Sequence, residues 1–250
     1  MQTLISLELL KLKRRHFFLP ICLFLGVGLV WCTIIAIKEF NFNESYRNVL
    51  VLINDLVIIN SMIFPLLIGV MCSRLIDIEH QGKMFRLLQT NNQSIETLFL
   101  AKSLVGMLII VVLGIVQVLY LIGLSIANRL SFEWGPVLLF LLSYLVASIF
   151  LVMLHLAISL FIEKQSIGII LALGASFIGL VSGGMLPKVL QLFLPWQYYA
   201  LLNPVSRTIV NNGYVYSNNS QYSFLMVVIV LLVIGEMVLI RKKAKVMEFC

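Results

Sequence analysis

Asp77-Ile78-Glu79-His80-Gln81-Gly82-Lys83-Met84-Phe85-Arg86-Leu87-Leu88-Gln89-Thr90 is a polar island between two long apolar runs. It carries more charge than almost any window of its length in a chain that is 61% hydrophobic, 12% charged and has a mean hydropathy of +1.04. A soluble domain carries about 25% charged residues, so this chain has too few polar groups to cover a water-facing surface. The composition dictates an integral membrane protein. The island then raises the question of what a charged, helix-patterned segment touches there.

Outward from the island, six apolar runs are long enough to cross a hydrocarbon core, which takes about 20 helical residues. They lie near 17–38, 49–72, 98–127, 137–162, 166–186 and 222–240. The runs are continuous rather than alternating, which excludes a β-barrel. The expected fold is therefore all-α, one transmembrane domain over 1–250 with six transmembrane helices. The basic N-terminus and the apolar run after it exceed the about 7–15 residues of a signal core and lack a cleavage pattern, so the run reads as a retained first span. Leu4, Ile5, Leu7, Leu9, Leu10 and Leu12 alternate with Glu8, Lys11 and Lys13 before Arg14-Arg15. Residues 1–16 are expected to lie in the headgroup layer as an interfacial helix, with bases toward lipid phosphate.

Lysine and arginine set the orientation. With both termini in the cytoplasm, thirteen of the eighteen bases fall inside and five outside. The expectation is a multi-pass protein with cytoplasmic termini, in a bacterial plasma membrane. The net charge of +7 sits at span ends, where it reads as topology signal and lipid contact, not nucleic-acid binding. Cys22, Cys32, Cys72 and Cys250 form no C-x-x-C pair, and no metal site is expected.

This orientation puts the island in the cytoplasm. Leu75, Ile78, Phe85 and Leu88 fall on one helical face, and Glu79, Lys83, Arg86 and Thr90 on the other. Glu79 and Lys83 form an i,i+4 pair in the favourable order, and Gly82 weakens the middle by about 1 kcal/mol relative to alanine. Asn91-Asn92-Gln93 reads as a turn, with Ser94 able to cap the next helix. An apolar stripe with Phe85, Leu87 and Leu88 on a cytoplasmic segment calls for a partner surface.

Asp77-x-Glu79, Gly82, Phe85, Leu87-Leu88, a turn, Ser94 and Lys102 in this order resemble the type-2 exporter permeases of ABC transporters. The resemblance implies that this segment is a coupling helix, with Asp77, Glu79, Gly82, Phe85, Arg86, Leu87 and Leu88 docking on a separate ATPase subunit. It implies an ATPase dimer, a second permease (the same or a related chain), and ATP and Mg held by the ATPase alone. The chain itself has no P-loop: its one Gly-Lys, Gly82-Lys83, is followed by Met84. It is expected to be no enzyme and to hold no cofactor. Within the family the chain is most similar to lantibiotic or bacteriocin immunity permeases, in size, short outer loops and Leu194-Pro195-Trp196. That implies export of an amphipathic antimicrobial peptide from the membrane for self-protection. It departs from many members in having Asn91-Asn92-Gln93 where a proline is common and Ile95 where an arginine follows the serine.

Other residues call for a role. The connection between spans 5 and 6 is too apolar for a solvated loop and too broken to span. Pro195, Trp196, Tyr198 and Tyr199 mark it as a re-entrant segment of short helices dipping into the outer leaflet. Ala175, Gly179 and Gly183 form a small-residue stripe. It serves packing within the bundle or, as the resemblance implies, a permease–permease seam. Asp55, Gln117, His155 and Glu236 lie within apolar runs, where an ionisable group costs about 2.5–3.5 kcal/mol on insertion scales. Asp55 is expected near water, His155 as a hydrogen-bonded packing residue, and Glu236 beside the basic inner end of the last span. Export of another hydrophobic cargo, a drug or a lipid, is the alternative. An intramembrane enzyme would need converging Glu and His residues, and an ion-coupled transporter would need inverted repeats with midplane charges; neither pattern is present in the sequence.

Overall fold

The structure is a computed structural model and describes residues 8, 10–12, 17–81, 95–162, 164–182, 186–210 and 213–247. Gly82, Phe85, Arg86, Leu87 and Leu88 of the expected coupling helix, and Gly183 of the small-residue stripe, lie outside these residues. The fold is 83% helical. The long helices are α1 (Phe18–Phe42), α2 (Val49–Gln81), α3 (Ile95–Ala127), α4 (Trp134–Phe161) and α5 (Gln165–Ser182). Short helices α6 (Lys188–Leu192) and α7 (Tyr198–Leu201) follow, then strands β1 (Val205–Val210) and β2 (Gly213–Asn218), then the long helix α8 (Tyr222–Met247). Apolar runs take helical form because a helix satisfies its own backbone where no water can.

Five of the described helices are long and apolar enough to cross a membrane: α1, α2, α3, α4 and α8. The stretch expected as a fifth of six spans is α5, whose apolar part, Gln165–Gly179, is shorter than the others. It packs along α2 instead of standing apart.

The core is built on α2. Its most apolar window is 78% buried, against 22% for α1 and 11% for α8. So α2 is wrapped by α1, α3, α4 and α5, while α1 and α8 turn most of their side chains outward. Pro65 stands inside α2 and cannot donate to the Ser61 carbonyl. Its neighbour α5 meets the disturbed turn. Ser176 Oγ donates to the Met62 carbonyl, and Gly179 passes so close to Ser61 that a Cβ there would collide with its carbonyl. A proline in a spanning helix is tolerated where neighbouring helices and Ser or Thr side chains adjust to the freed backbone, and here Ser176 binds the carbonyl next to the freed one. Deeper in the core Asn60 and Gln117 exchange two amide hydrogen bonds, at 2.9 and 3.1 Å, which ties α2 to α3.

The two ends of the bundle differ. One end carries residues 8–12, the last turn of α2 and the first turns of α3, and is called the network end below. The opposite, hairpin end carries the antiparallel pair β1–β2, in register from Val205 with Asn218 to Val210 with Gly213. The hairpin corrects the purely helical expectation. Its strands are rich in β-branched and aromatic residues with Gly213 beside the turn, a strand pattern easily overlooked between apolar helices. Tyr46, between α1 and α2, anchors it by accepting from the Tyr214 backbone N–H at 2.9 Å.

Candidate functional site

The network end holds four ionic side chains from three parts of the chain. Lys102 Nζ lies 2.7 Å from Glu8 Oε2 and 3.2 Å from Glu79 Oε1. It also donates to the Leu75 carbonyl at 2.7 Å. Lys11 Nζ lies 2.8 Å from Glu8 Oε1 and 2.9 Å from Glu79 Oε1. The side chains of Lys102 and Glu79 have no solvent exposure, whereas Lys11 keeps 32%. Two bases therefore neutralise two acids, and Lys11 forms the wet rim. Burial alone would raise the pKa of Glu8, but Lys102 first and Lys11 second hold its carboxyl below the ordinary value. Burial would lower Lys11, but its hydrogen bonds to Glu8 and Glu79 raise it above its ordinary value.

Local sequence explains the convergence. Glu79 closes α2 and Lys102 stands two turns into α3, so the ends flanking residues 82–94 meet through this pair. Glu8 and Lys11 are three apart on a helical turn, which points both to one side. Leu12, next in line, is buried and seats the N-terminal segment on the bundle. Lys11 thus faces acids rather than the lipid phosphate expected for it, and Glu79 is held by bases outside its expected pair with Lys83. Glu79 Oε2 has no hydrogen-bond partner among the described residues. Asp77 lies two residues back on α2, turned to another side of the helix, and lines a small crevice with His80 and Lys164. The signal that reveals this cluster in the sequence is Lys102, a lone cation inside an apolar run that has to be paired.

The segment between α5 and β1 runs into the bundle rather than skimming one leaflet. Trp196 Nε1–H donates to His155 Nε2 at 3.3 Å. His155 lies about 30 Å along α4 from Trp134, at about 1.5 Å per residue. The Tyr199 and Ser148 hydroxyls share a 2.6 Å hydrogen bond, and Tyr199 sits in an aromatic cluster with Phe64 and Tyr144. Pro195 opens the turn that carries Trp196, and Tyr198 packs edge-on against Phe150 with ring centroids 4.9 Å apart. The polar tips of Trp196, Tyr198 and Tyr199 each find a partner, as insertion into an apolar bundle favours, whereas Gln197 Oε1 has none among the described residues.

The remaining intramembrane polar residues fall in separate places. His155 is an acceptor for the inserted segment and Gln117 pairs with Asn60. Asp55 was expected to be wet; it is 4% exposed, because β1 and the chain before it cover the first turns of α2. Glu236 was expected beside basic residues; it stands one turn and more before Arg241 in the sequence. Neither carboxyl oxygen of Glu236, nor Asp55 Oδ2, has a hydrogen-bond partner among the described residues. Ala175, 2% exposed, and Gly179 pack within the chain, Gly179 on α2, rather than onto an open face. Among the described residues no three His, Cys, Asp or Glu side chains gather as metal ligands do.

At the hairpin end a cavity of about 320 Å³ lies between the first turns of α2 and the chain from Leu186 to Arg207. Asn54, Lys188, Gln191 and Arg207 bring polar groups to its wall, and Val57 and Ile58 bring apolar ones. None of these was singled out in the sequence, where they fall in three separate stretches.

The family model described as "ABC-2 family transporter protein" matches residues 4–183. The match takes in the N-terminal segment, α1 through α5 and every member of the ionic network. No curated protein and no solved structure matches the chain. The chain belongs to the ABC-2 transporter family, and is a multi-pass membrane permease of an ABC exporter, a family whose members associate with an ABC ATPase.

Proposed function

We propose that this ABC-2 permease is driven through its network end by a cytoplasmic ATPase dimer, works with a second permease of the same or a related kind, and removes an amphipathic antimicrobial peptide from the membrane as self-immunity. The observation that carries the coupling half is the buried network. Glu79 and Lys102 flank residues 82–94 and bind the N-terminal segment through Lys11 and Glu8 respectively. A force on that segment would be shared by α2, α3 and the N-terminus, because separating buried partner charges costs several kcal/mol. Nucleotide-driven closure of the ATPase, which holds ATP and Mg, would then bias the bundle between two arrangements. In this reading the network end is cytoplasmic, both termini lie inside, the membrane is a bacterial plasma membrane and α5 is the fifth of six spans. The peptide cargo rests on the resemblance to immunity permeases.

The test of coupling is direct. Phe85→Asp with Leu88→Asp should abolish co-purification of the ATPase while membrane insertion is unchanged; undiminished co-purification overturns the docking role of that segment. Bacteriocin challenge of a strain lacking the chain tests the cargo. The alternative cargo, a lipid or another amphiphile, gains support from one observation: the hairpin-end cavity has Lys188 and Arg207 on its wall and no acidic residue, a poor welcome for a cationic peptide.

A further inference from the structure

We infer that the hairpin-end cavity is a binding site for an anionic amphiphile, with a phosphate or carboxylate head held by Lys188 and Arg207 and an alkyl stem against Val57 and Ile58. The volume of about 320 Å³ falls at the lower end of ligand-site sizes, about 300–1,000 Å³. The wall is amphipathic in the way such a ligand needs. Val57 and Ile58 lie one turn beyond Asn54 on α2, so an apolar strip continues directly from a polar one.

The charge of the wall selects the head group. Lys188 donates to the neutral Gln221 Oε1, and the Arg207 guanidinium lies 4.4 Å over the Tyr214 ring. Neither cation has a carboxylate in ion-pair contact among the described residues. Glu39 and Asp55, whose carboxyls feel the field of Arg207, do not line the cavity. Asn54 is 4% exposed; its Oδ1 accepts from Asn203 at 3.0 Å. Its Nδ2, beside the Asp55 carboxyl, completes no hydrogen bond among the described residues. The site lies beyond the ATPase-coupling end and beyond the family-matched residues for its Lys188, Gln191 and Arg207 part. Its place on a cargo route rests on the exporter reading, but binding does not.

The test uses the purified full chain in a neutral detergent, with calorimetric titration of dodecyl phosphate, dodecyltrimethylammonium and inorganic phosphate. Dodecyl phosphate should bind, and Lys188→Gln with Arg207→Gln should weaken it by about tenfold or more, the scale of losing hydrogen bonds to charged groups. Ile58→Trp, at a position half exposed and therefore tolerant, should block the site while leaving the helical circular dichroism unchanged. Equal binding of the cationic amphiphile, unchanged affinity in the double variant, or absence of binding by the folded wild-type chain overturns the inference. Inorganic phosphate binding as tightly as dodecyl phosphate overturns the amphiphile in favour of a free anion. Coupling is read separately at Phe85 and Leu88, so failure here leaves the exporter reading intact.

Discussion

At the network end four charged side chains close on one another, with Lys102 touching Glu8, Glu79 and the Leu75 carbonyl inside a dry pocket. At the hairpin end Asn54 Nδ2 and Asp55 Oδ2 are buried with no hydrogen bond among the described residues, and Lys188 and Arg207 face a cavity. A closed ionic cluster is suited to transmitting force, because its members are expensive to separate. An open polar cavity is suited to taking a ligand, because its groups have bonds still to make. On the proposed reading, the two ends of one bundle divide mechanical and recognition work between them.

The largest effect should come from breaking the closed end. Lys102→Met leaves Glu8 and Glu79 buried with only the rim charge of Lys11, and removal of one partner of a buried pair costs about 3–5 kcal/mol. Denaturant unfolding of the detergent-solubilised chain measures it. Adding Glu79→Gln to Lys102→Met should restore part of the loss, since it removes an uncompensated charge; no restoration would show that Glu79 does not depend on Lys102.

A smaller effect is expected midway between the ends. Trp196→Phe keeps an aromatic ring but removes the donor to His155, and should cost about 1–3 kcal/mol, the range for a buried polar group left without its partner. Protease accessibility of residues 186–202 should rise with it. Unchanged accessibility would mean that the segment is held by Tyr198 and Tyr199 alone.

Acidity should produce the smallest change near neutrality and sharpen the contrast at the extremes. Glu8 is held below its ordinary value of 4.5, so its contribution is present above that value and is lost as pH falls through the lower, folded one. Lys11 is raised above its ordinary 10.5, so its contribution is complete below that value and is lost as pH rises through the higher, folded one. The N-terminal segment should therefore stay docked between about pH 4.5 and 10.5 and detach on strong acidification. A spin label at Leu10, an exposed position, would report it. Detachment near pH 7 would contradict the network as described.

Much of the architecture was readable from residues alone. Continuous apolar runs permit only helices in a membrane, and five of the six expected runs return as helices long enough to cross one, α8 being the last. Short apolar α5 differs because its small residues, Ala172, Ala175 and Gly179, let it pack closely on α2. Glu79 could be singled out through its motif, but its partners could not. Lys11 is 68 positions from Glu79 and Glu8 is 94 from Lys102, and no local spacing links the N-terminal pair to either. The hairpin was hidden because six-residue strands between apolar helices are short against the helical background. The cavity was hidden because its wall draws on α2, α6 and β1 together.

By itself the sequence determined that this chain lives in a membrane and folds as helices, and it carried the motif around Asp77 and Glu79 that marks an exporter permease. Transfer of apolar side chains out of water and the helix period act locally, and so can be read locally. Only the tertiary structure decided which charges neutralise one another, how deep Trp196 reaches, and where an unfilled polar cavity remains. Those outcomes depend on contacts between residues up to about 150 positions apart, such as Asn54 with Asn203, and burial turns such contacts from weak to decisive.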